Sequence, residues 1–346
     1  MILREANDGF LLISQVDHAR LAGALAESWG NRRVAGLPLA EWLVPAIRDH
    51  DEGWRNWEAS PTVTAGGRPR TFTEMPTAEA TVLWSVSIDV CASGPPSSAD
   101  ALRKLRRDNG EVTPDDAAVL ETVLRHRGSF GVDRLRTEVV SDEELTAEAF
   151  AASLTKLERF GAIVRLPVVL GGPAYAINLP TTGGSPLGGV WVSRHFCALA
   201  ESAREHRADR PDEVAAADAF LVEQSAKQGG WAAAVREFAG DELKRVLDTG
   251  FRYVQFFDRI SLWLCMAERD EPWEATLSSS LTLKFTPRSP REIEVSPWPF
   301  GPAALELSAP AMTIPAVSYQ DDAALRKTVA DAERTTLRWV LVRGDE

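Results

Sequence analysis

The amino-acid sequence predicts a mainly α chain. A helical core is drawn from residues 1–94 and 187–270, a module at 95–186 is inserted into it, and a small β-rich region follows at 271–346. Three observations predict this. Apolar residues recur at helical spacing in most long segments, as Leu21, Leu25 and Trp29 do. Two stretches rich in Pro, Gly and Ser, SGPPSSAD at 93–100 and LPTTGGSPLGG at 179–189, bracket a unit of its own. From residue 277 the pattern changes to short alternating runs punctuated by prolines, the signature of strands.

The bulk composition narrows the choice of function. A chain of 346 residues is too long for one small module and suggests two or three structural units. With 45% hydrophobic and 25% charged residues it reads as globular, and its apolar runs are too short to span a bilayer. The opening MILREANDGFLLISQ lacks a basic flank, an apolar stretch and a small-residue cleavage site, so no signal peptide is expected. Cys91, Cys197 and Cys265 are scattered and odd in number, which argues against disulfides or a thiolate zinc site. A reducing, cytoplasmic setting is expected, with all three cysteines as buried filler. A formal net charge of -12 argues against nucleic acid as a partner, because phosphate backbones are repelled.

Along the chain, ILRE and FLLIS form a hairpin around Asn7-Asp8-Gly9. A helix is predicted at about residues 17–29, with Asp17 or Ser14 as cap and Gly30 as stop. The next spans 38–51, where Pro45 should kink or restart it. Residues 56–80 look like loop, and ATVLWSVSIDVCA at 80–92 is apolar.

In the insert, TPDDAAVLETVLRHRG is a helix with Thr113 as N-cap and Gly128 as stop. GVDRLRTEVV is a second helix, and TAEAFAASLTKLERFGAI a third, with Phe150, Leu154 and Leu157 on one face. IVRLPVVLGGPAYAINL then alternates and turns at Gly171-Gly172. Three helices and a hairpin resemble a winged helix-turn-helix module. Further helices follow at 191–206, 212–239 (one or two) and 241–268. Strands SLTLKF, REIEV, ALELSA and MTIPAV come next, then the helix DDAALRKTVADAERTT and the strand LRWVLVR.

Asp258 carries the strongest chemical signal. Leu247, Phe251, Val254, Asp258, Leu262 and Cys265 form one helical stripe, which puts a carboxylate in the middle of the most apolar face. It needs a cation, a metal or dedicated donors there; a buried Arg or a helix cap would also serve. In the adjacent pair His50-Asp51 the two side chains point about 100° apart on a helix, so they share an ion only off its end. Gly53 supplies such an end; alternatively the pair is a charged terminus in water. His18 opens the first helix, and is otherwise an ordinary first-turn histidine. His195 shares a face with Val192, Leu199 and Ser202, where a satisfied core histidine is the alternative.

Taken together, the order His18, His50-Asp51, Asp258 is similar to the HD (His-Asp) superfamily. The blocks SQVDHARLAGALAESWG, AIRDHDEGWRNWEASP, VWVSRHFCALA and FFDRISLWLC resemble the domain-of-unknown-function family 3891 over about residues 1–92 and 187–310. The resemblance implies an HD-type helical bundle. It also implies one divalent metal ion (Mn, Fe, Mg, Zn or Co) on His18, His50, Asp51 and Asp258, with a second ion as an option. It further marks His195, Gln15 and Trp54, the last as a pocket wall or as core packing.

Arg55, four residues after Asp51, is placed to hold an anionic group, with Arg194 and Arg259 as weaker candidates. His195 is cast as acid/base, fifth ligand or substrate contact. His206 falls about 16 Å further along the same helix side, too far to join the cluster, and His126 sits in the insert. A second ion would therefore have to recruit Glu52, Asp17 or another carboxylate.

The leading expectation is a metal-dependent hydrolase of a small phosphorylated or otherwise anionic substrate, working through metal-activated water. The alternatives are an HD-type non-haem iron oxygenase, and a non-catalytic sensor whose insert meets a protein or peptide. Residues 98–180 hold 11 Lys and Arg against 13 Asp and Glu, with only Lys156 and Arg159 on the third insert helix, which weighs against a DNA reader.

Overall fold

The computed structural model describes residues 1–6, 9–92, 113–126, 135–137, 139–140, 145–159, 163–169, 172–177, 185–239, 242–266 and 271–344. The turn residues Asn7, Asp8 and Gly171, the stop at Gly128, the 93–100 linker, most of the 179–189 linker and part of the second insert helix lie outside them. The chain separates into two compact units, one of residues 1–92 and 184–346, the other of 93–183.

The larger unit begins with the hairpin β1 (Ile2–Ala6) and β2 (Gly9–Ile13), followed by α1 (Gln15–Glu27) and α2 (Ala40–Asp49). A 3-10 turn, Glu52–Trp54, leads into the single turn α3 (Arg55–Glu58), and α4 is Thr77–Ala92. The region expected to be loop therefore carries two short helical turns, the second being Phe72–Glu74, and the start of α4. Ser14 is the N-cap of α1: its Oγ accepts from the Asp17 N–H at 2.8 Å. Pro45 sits inside α2 without ending it.

In the smaller unit, α5 (Pro114–His126) and α6 (Ala147–Arg159) accompany the antiparallel pair β3 (Ile163–Val169) and β4 (Gly172–Ile177). Thr113 and Asp116 cap α5 reciprocally: the Asp116 N–H donates to Thr113 Oγ1 at 3.2 Å, and the Thr113 N–H to Asp116 Oδ2 at 2.9 Å. Val119, Val123, Phe150, Leu154 and Leu157 make the core of this unit. Lys156 donates to Asp116 Oδ2 at 2.6 Å, so one of the two cations expected on this helix already has a carboxylate partner. The His126 and Arg159 side chains lie outside the described residues.

The larger unit resumes with the long helices α7 (Pro186–His206), α8 (Pro211–Ala239, one helix) and α9 (Leu243–Met266). Strands β5 (Trp273–Ser278), β6 (Leu281–Pro287), β7 (Glu292–Ser296) and β8 (Ala304–Ile314) follow, then α10 (Asp322–Asp331) and β9 (Glu333–Arg343). These strands correct the expected fold. The chain is not a helical bundle carrying a small C-terminal β-rich region: a seven-stranded mixed sheet, ordered β1-β2-β8-β9-β7-β6-β5, runs through the larger unit.

The N-terminal hairpin is part of that sheet, because β2 pairs with β8 through Phe10↔Ile314, and β7 runs parallel to β9. Alternation marks a strand but says nothing of its partner, so segments about three hundred residues apart looked independent. ALELSA and MTIPAV are one strand, and ERTT belongs to β9 rather than to the last helix.

Leu305, Leu307, Ala309 and Ala311 of β8 alternate inward and join the helices in one apolar core. Helix α1 packs on α2, α9 and β8, while α7 packs on α4, α8, α9 and α2. Cys91 and Cys265 are buried as expected. Cys197 is only partly so, since it faces α8, where the Gln228 amide donates to its sulfur at 3.5 Å. Among the described residues no helix is long and apolar enough to cross a membrane.

Helices α7 and α9 meet closely at Gly250, where a Cβ would lie 2.1 Å from Trp191 Cε2. Trp191 is itself fully enclosed and donates to the Val246 carbonyl, so the ring has little room to move. Gly250→Ala is therefore expected to destabilise the protein by about 1–3 kcal/mol, measurable by denaturant unfolding.

Candidate metal centre

Each group of the centre is delivered by local structure. The Ser14 cap fixes the first turn of α1, so Gln15 and His18, three residues apart, fall on its buried side. Helix α2 stops at Asp49, and the chain turns through His50 and Asp51 into the 3-10 turn. The pair therefore sits off a helix end. Gly53 makes the turn tight: its N–H donates to Ser87 Oγ at 2.9 Å, and a Cβ there would lie 2.0 Å from the Leu83 carbonyl oxygen of α4. Asp258 and Ser261 share the buried face of α9 with Val254 and Phe257, and His195 comes from the buried face of α7.

These side chains converge. His18 Nε2 lies 3.0 Å from Asp51 Oδ2 and 3.4 Å from Asp258 Oδ1. His50 Nε2 lies 3.3 Å from Asp258 Oδ1 and 3.6 Å from Asp51 Oδ2. His18, His50 and Asp258 each offer a ligand atom within 4.8 Å of the others, a group able to hold a metal ion. Asp51 touches both imidazoles but is not part of that mutually close trio. His195 approaches from the third side, its Nε2 at 3.9 Å from Asp258 Oδ2 and its ring centroid 5.6 Å from that of His50.

The outer hydrogen bonds fit the rings to a metal. The Ser261 hydroxyl donates to the Asp258 main-chain oxygen at 2.9 Å, so toward His18 Nδ1, at 2.8 Å, it can only accept. His50 Nδ1 lies 2.8 Å from the Ile47 carbonyl, which also only accepts. Both Nδ1 atoms must therefore carry hydrogen, and both Nε2 atoms, facing the carboxylates, are free to be ligands. Sequence reasoning missed Ser261; its signal was a small polar residue three positions after Asp258 on the same face.

Burial opposes charge on His50, but the Asp51 carboxylate, the hydrogen bond to Asp258 and the Asp258 charge outweigh it and lift its pKa to about 9. Burial would also raise Asp258, yet the His50 hydrogen bond and the electrostatic pull of the imidazoles around it hold its carboxyl well below the usual carboxylate range. His195 goes the other way: burial pushes it down, and Asp258 does not restore it.

A cavity of about 380 Å³ opens from this cluster. Its walls include Trp54, Phe72, Met75, Trp84, Phe196 and Leu262. Trp54 is therefore wall and core at once, stacked edge-on against Trp57 and Phe72. Leu199, Ser202 and His206 continue the His195 face of α7 along the cavity to its exposed mouth.

The expected arginines are elsewhere. Arg55 forms an ion pair with Glu52 at 2.6 Å, Arg194 pairs with Asp248 at 2.9 Å, Arg259 is exposed, and none of the three lines the cavity. Arg55 is thus corrected from anion holder to surface ion pair: the chain breaks from α2 into the 3-10 turn between Asp51 and Arg55, so the helical offset of four no longer puts them on one face. Glu52 is held by Arg55 and Asp17 by Ser14 and Arg20, so neither is free to build a second ion site.

Residues 1–95 and 182–316 match the family described as protein of unknown function DUF3891, and the chain belongs to that family. No curated protein and no solved structure gives a significant match.

The two pKa directions set a pH window for the metal-free protein. The His50 contribution to stability is complete below its unfolded value of about 6.5 and is lost as pH rises through about 9. The Asp258 contribution is present above about 4 and is lost as pH falls through its depressed folded value. Thermal unfolding with a chelator should show the melting temperature falling between about pH 6.5 and 9. Added zinc or manganese should cancel that fall, because the ion replaces the His50 proton. A chelated profile flat across this window would mean that the His50 pairing does not exist.

Proposed function

We propose that this protein is a metal-dependent hydrolase with a donor set of the HD kind: His18, His50 and Asp258, with Asp51 as the fourth group. The observation that carries the reading is that two imidazoles present Nε2 to two buried carboxylates at one end of a cavity, with both Nδ1 hydrogens fixed outward. A bound divalent ion there supplies a Lewis acid and acidifies water.

The chain's own residues do the rest. Asp51 and Asp258 balance the ion's charge, and Ser261 and the Ile47 carbonyl aim the two rings. His195, buried and held below its ordinary pKa, is a neutral base at the cavity wall that can take a proton and return it to a leaving group. Apolar walls keep bulk water away from the reacting groups. The arginine clamp for an anionic substrate is not part of this reading, since those side chains are paired outside the cavity. Nor is a dinuclear oxygenase, because Glu52 and Asp17 already have partners. In the insert, the Asp116–Lys156 pair takes up one of the two cations of its third helix.

As isolated, the protein should carry about one divalent ion per chain by elemental analysis, and Asp258→Asn should carry almost none while remaining folded. The loaded protein should hydrolyse a member of a broad panel of esters, amides and phosphoesters; no turnover with any ion would sink the reading. Ser261→Ala, which frees the His18 ring and removes the hydrogen bond to the Asp258 main-chain oxygen, should weaken ion affinity about 10–100-fold in competition with a chelating dye.

A further inference from the structure

The cavity has a direction. His195, Leu199, Ser202 and His206 fall four, three and four residues apart on α7, and all of them line it. Exposure rises along this stripe: His195 is buried, Leu199 is 42% exposed, and Ser202 and His206 are exposed. The helical rise puts about 16 Å between the first residue and the last. The inner end holds the His and Asp cluster. Trp84, Phe196, Leu199 and Leu262 make an apolar middle, and Thr73, Ser202, His206 and Arg207 a polar outer end. Of the exposed large apolar side chains among the described residues, Leu199 is the one on this cavity, so the apolar lane reaches nearly to the mouth.

The groups at the outer end are mostly engaged already. The Thr77 hydroxyl donates to Glu213. Arg207 is held by Glu213 at 2.6 Å, which offsets its charge, and by the Met75 carbonyl at 3.2 Å. The Thr71 hydroxyl donates to Glu74, so toward Thr73 Oγ1, at 2.9 Å, it accepts; Thr73 has spent its hydrogen and keeps only acceptor capacity. His206 Nδ1 lies 2.8 Å from the Ser202 carbonyl, which only accepts, so the neutral ring carries its hydrogen there. Its Nε2 is then an acceptor, without a partner among the described residues. The mouth thus offers acceptors to whatever enters.

We propose that the molecule bound in this cavity is an unbranched, largely apolar chain lying along α7, with a hydroxyl at its outer end that donates to His206 Nε2. A volume of about 380 Å³ drawn out along that stripe suits a slender molecule better than a broad one. His206 and Leu199 are the residues that determine specificity: the first reads the end group, the second the length. A methyl or a carboxylate end has no hydrogen to give and is discriminated against. The shape follows from the cavity alone. That the inner end of the chain is the end that reacts rests on the hydrolase reading.

The test is isothermal titration of the full-length protein, metal-loaded and chelated, with the terminal diols butanediol and octanediol, and with octanol, hydroxyoctanoate and naphthol. Affinity should rise about two- to fourfold for each methylene between butanediol and octanediol. Octanediol should bind about two- to tenfold more tightly than octanol, the effect of one hydrogen bond. In His206→Phe the two eight-carbon ligands should become equal. In Leu199→Ser the gain from butanediol to octanediol should shrink. Both side chains are exposed, so both variants are expected to fold.

No diol binding, affinity indifferent to length, naphthol tighter than octanediol, or hydroxyoctanoate tighter than octanediol on chelated protein would overturn the proposal. So would an octanediol preference unchanged in His206→Phe, which would place the outer hydroxyl elsewhere. Length-dependent, His206-dependent binding in a protein that never takes up metal would remove the hydrolase and keep the ligand class. A loaded enzyme that turns over compact substrates and gains nothing from a longer chain would do the reverse.

Discussion

Two carboxyl groups, Asp51 and Asp258, are buried side by side, and the surrounding structure of the larger unit follows from the need to give them partners. An uncompensated carboxylate in such a setting costs several kcal/mol, so the partners cannot be left to chance. They arrive on separate elements: His18 from α1, His50 from the end of α2, His195 from α7. What makes the cluster a metal candidate rather than a plain ion-pair network is the far side of each ring. A serine hydroxyl and a helix-end carbonyl take the Nδ1 hydrogens, and the opposite nitrogens are left for the centre.

The cavity and the cluster solve complementary problems. The cluster concentrates charge where one ion can neutralise it, and the cavity beside it is nearly uncharged. A chain with a net charge of -12 could be expected to draw in a cation and little else. The nearby arginines do not alter that, because each described one has an acidic neighbour or faces solvent. Selectivity in such a pocket comes from a few neutral hydrogen-bonding atoms and from shape, and only weakly from field.

The cluster was legible in the sequence because burial of a charge leaves a local trace. Asp258 interrupts an apolar stripe, and Gly53 signals that His50-Asp51 stand at a helix end; both traces are short-range. The helices from α7 to α9 were readable for the same reason, through spacing. The sheet was not. Strands β2 and β8 each advertise alternation, but nothing local in Phe10 or Ile314 says that they are partners. The arginines failed for a related reason: Arg55 was placed by helical offset from Asp51, and a break into a 3-10 turn changed the direction. Ser261 went unread because its value lies in a hydrogen bond to a residue 243 positions away.

The pairing of β2 with β8 also bears on how the chain reaches its native state. Helix α1, which carries His18, follows directly from a hairpin whose sheet neighbour is made roughly three hundred residues later. A nascent chain emerging at about 5–20 residues per second therefore presents His18 for many seconds before strand β8 exists. Contacts of such long sequence separation slow folding and leave strand edges open meanwhile. The unit of 93–183, with a core of its own, is synthesised during that wait. Assembly of the centre is thus a late event, completed only when both ends of the larger unit have been knitted into one sheet.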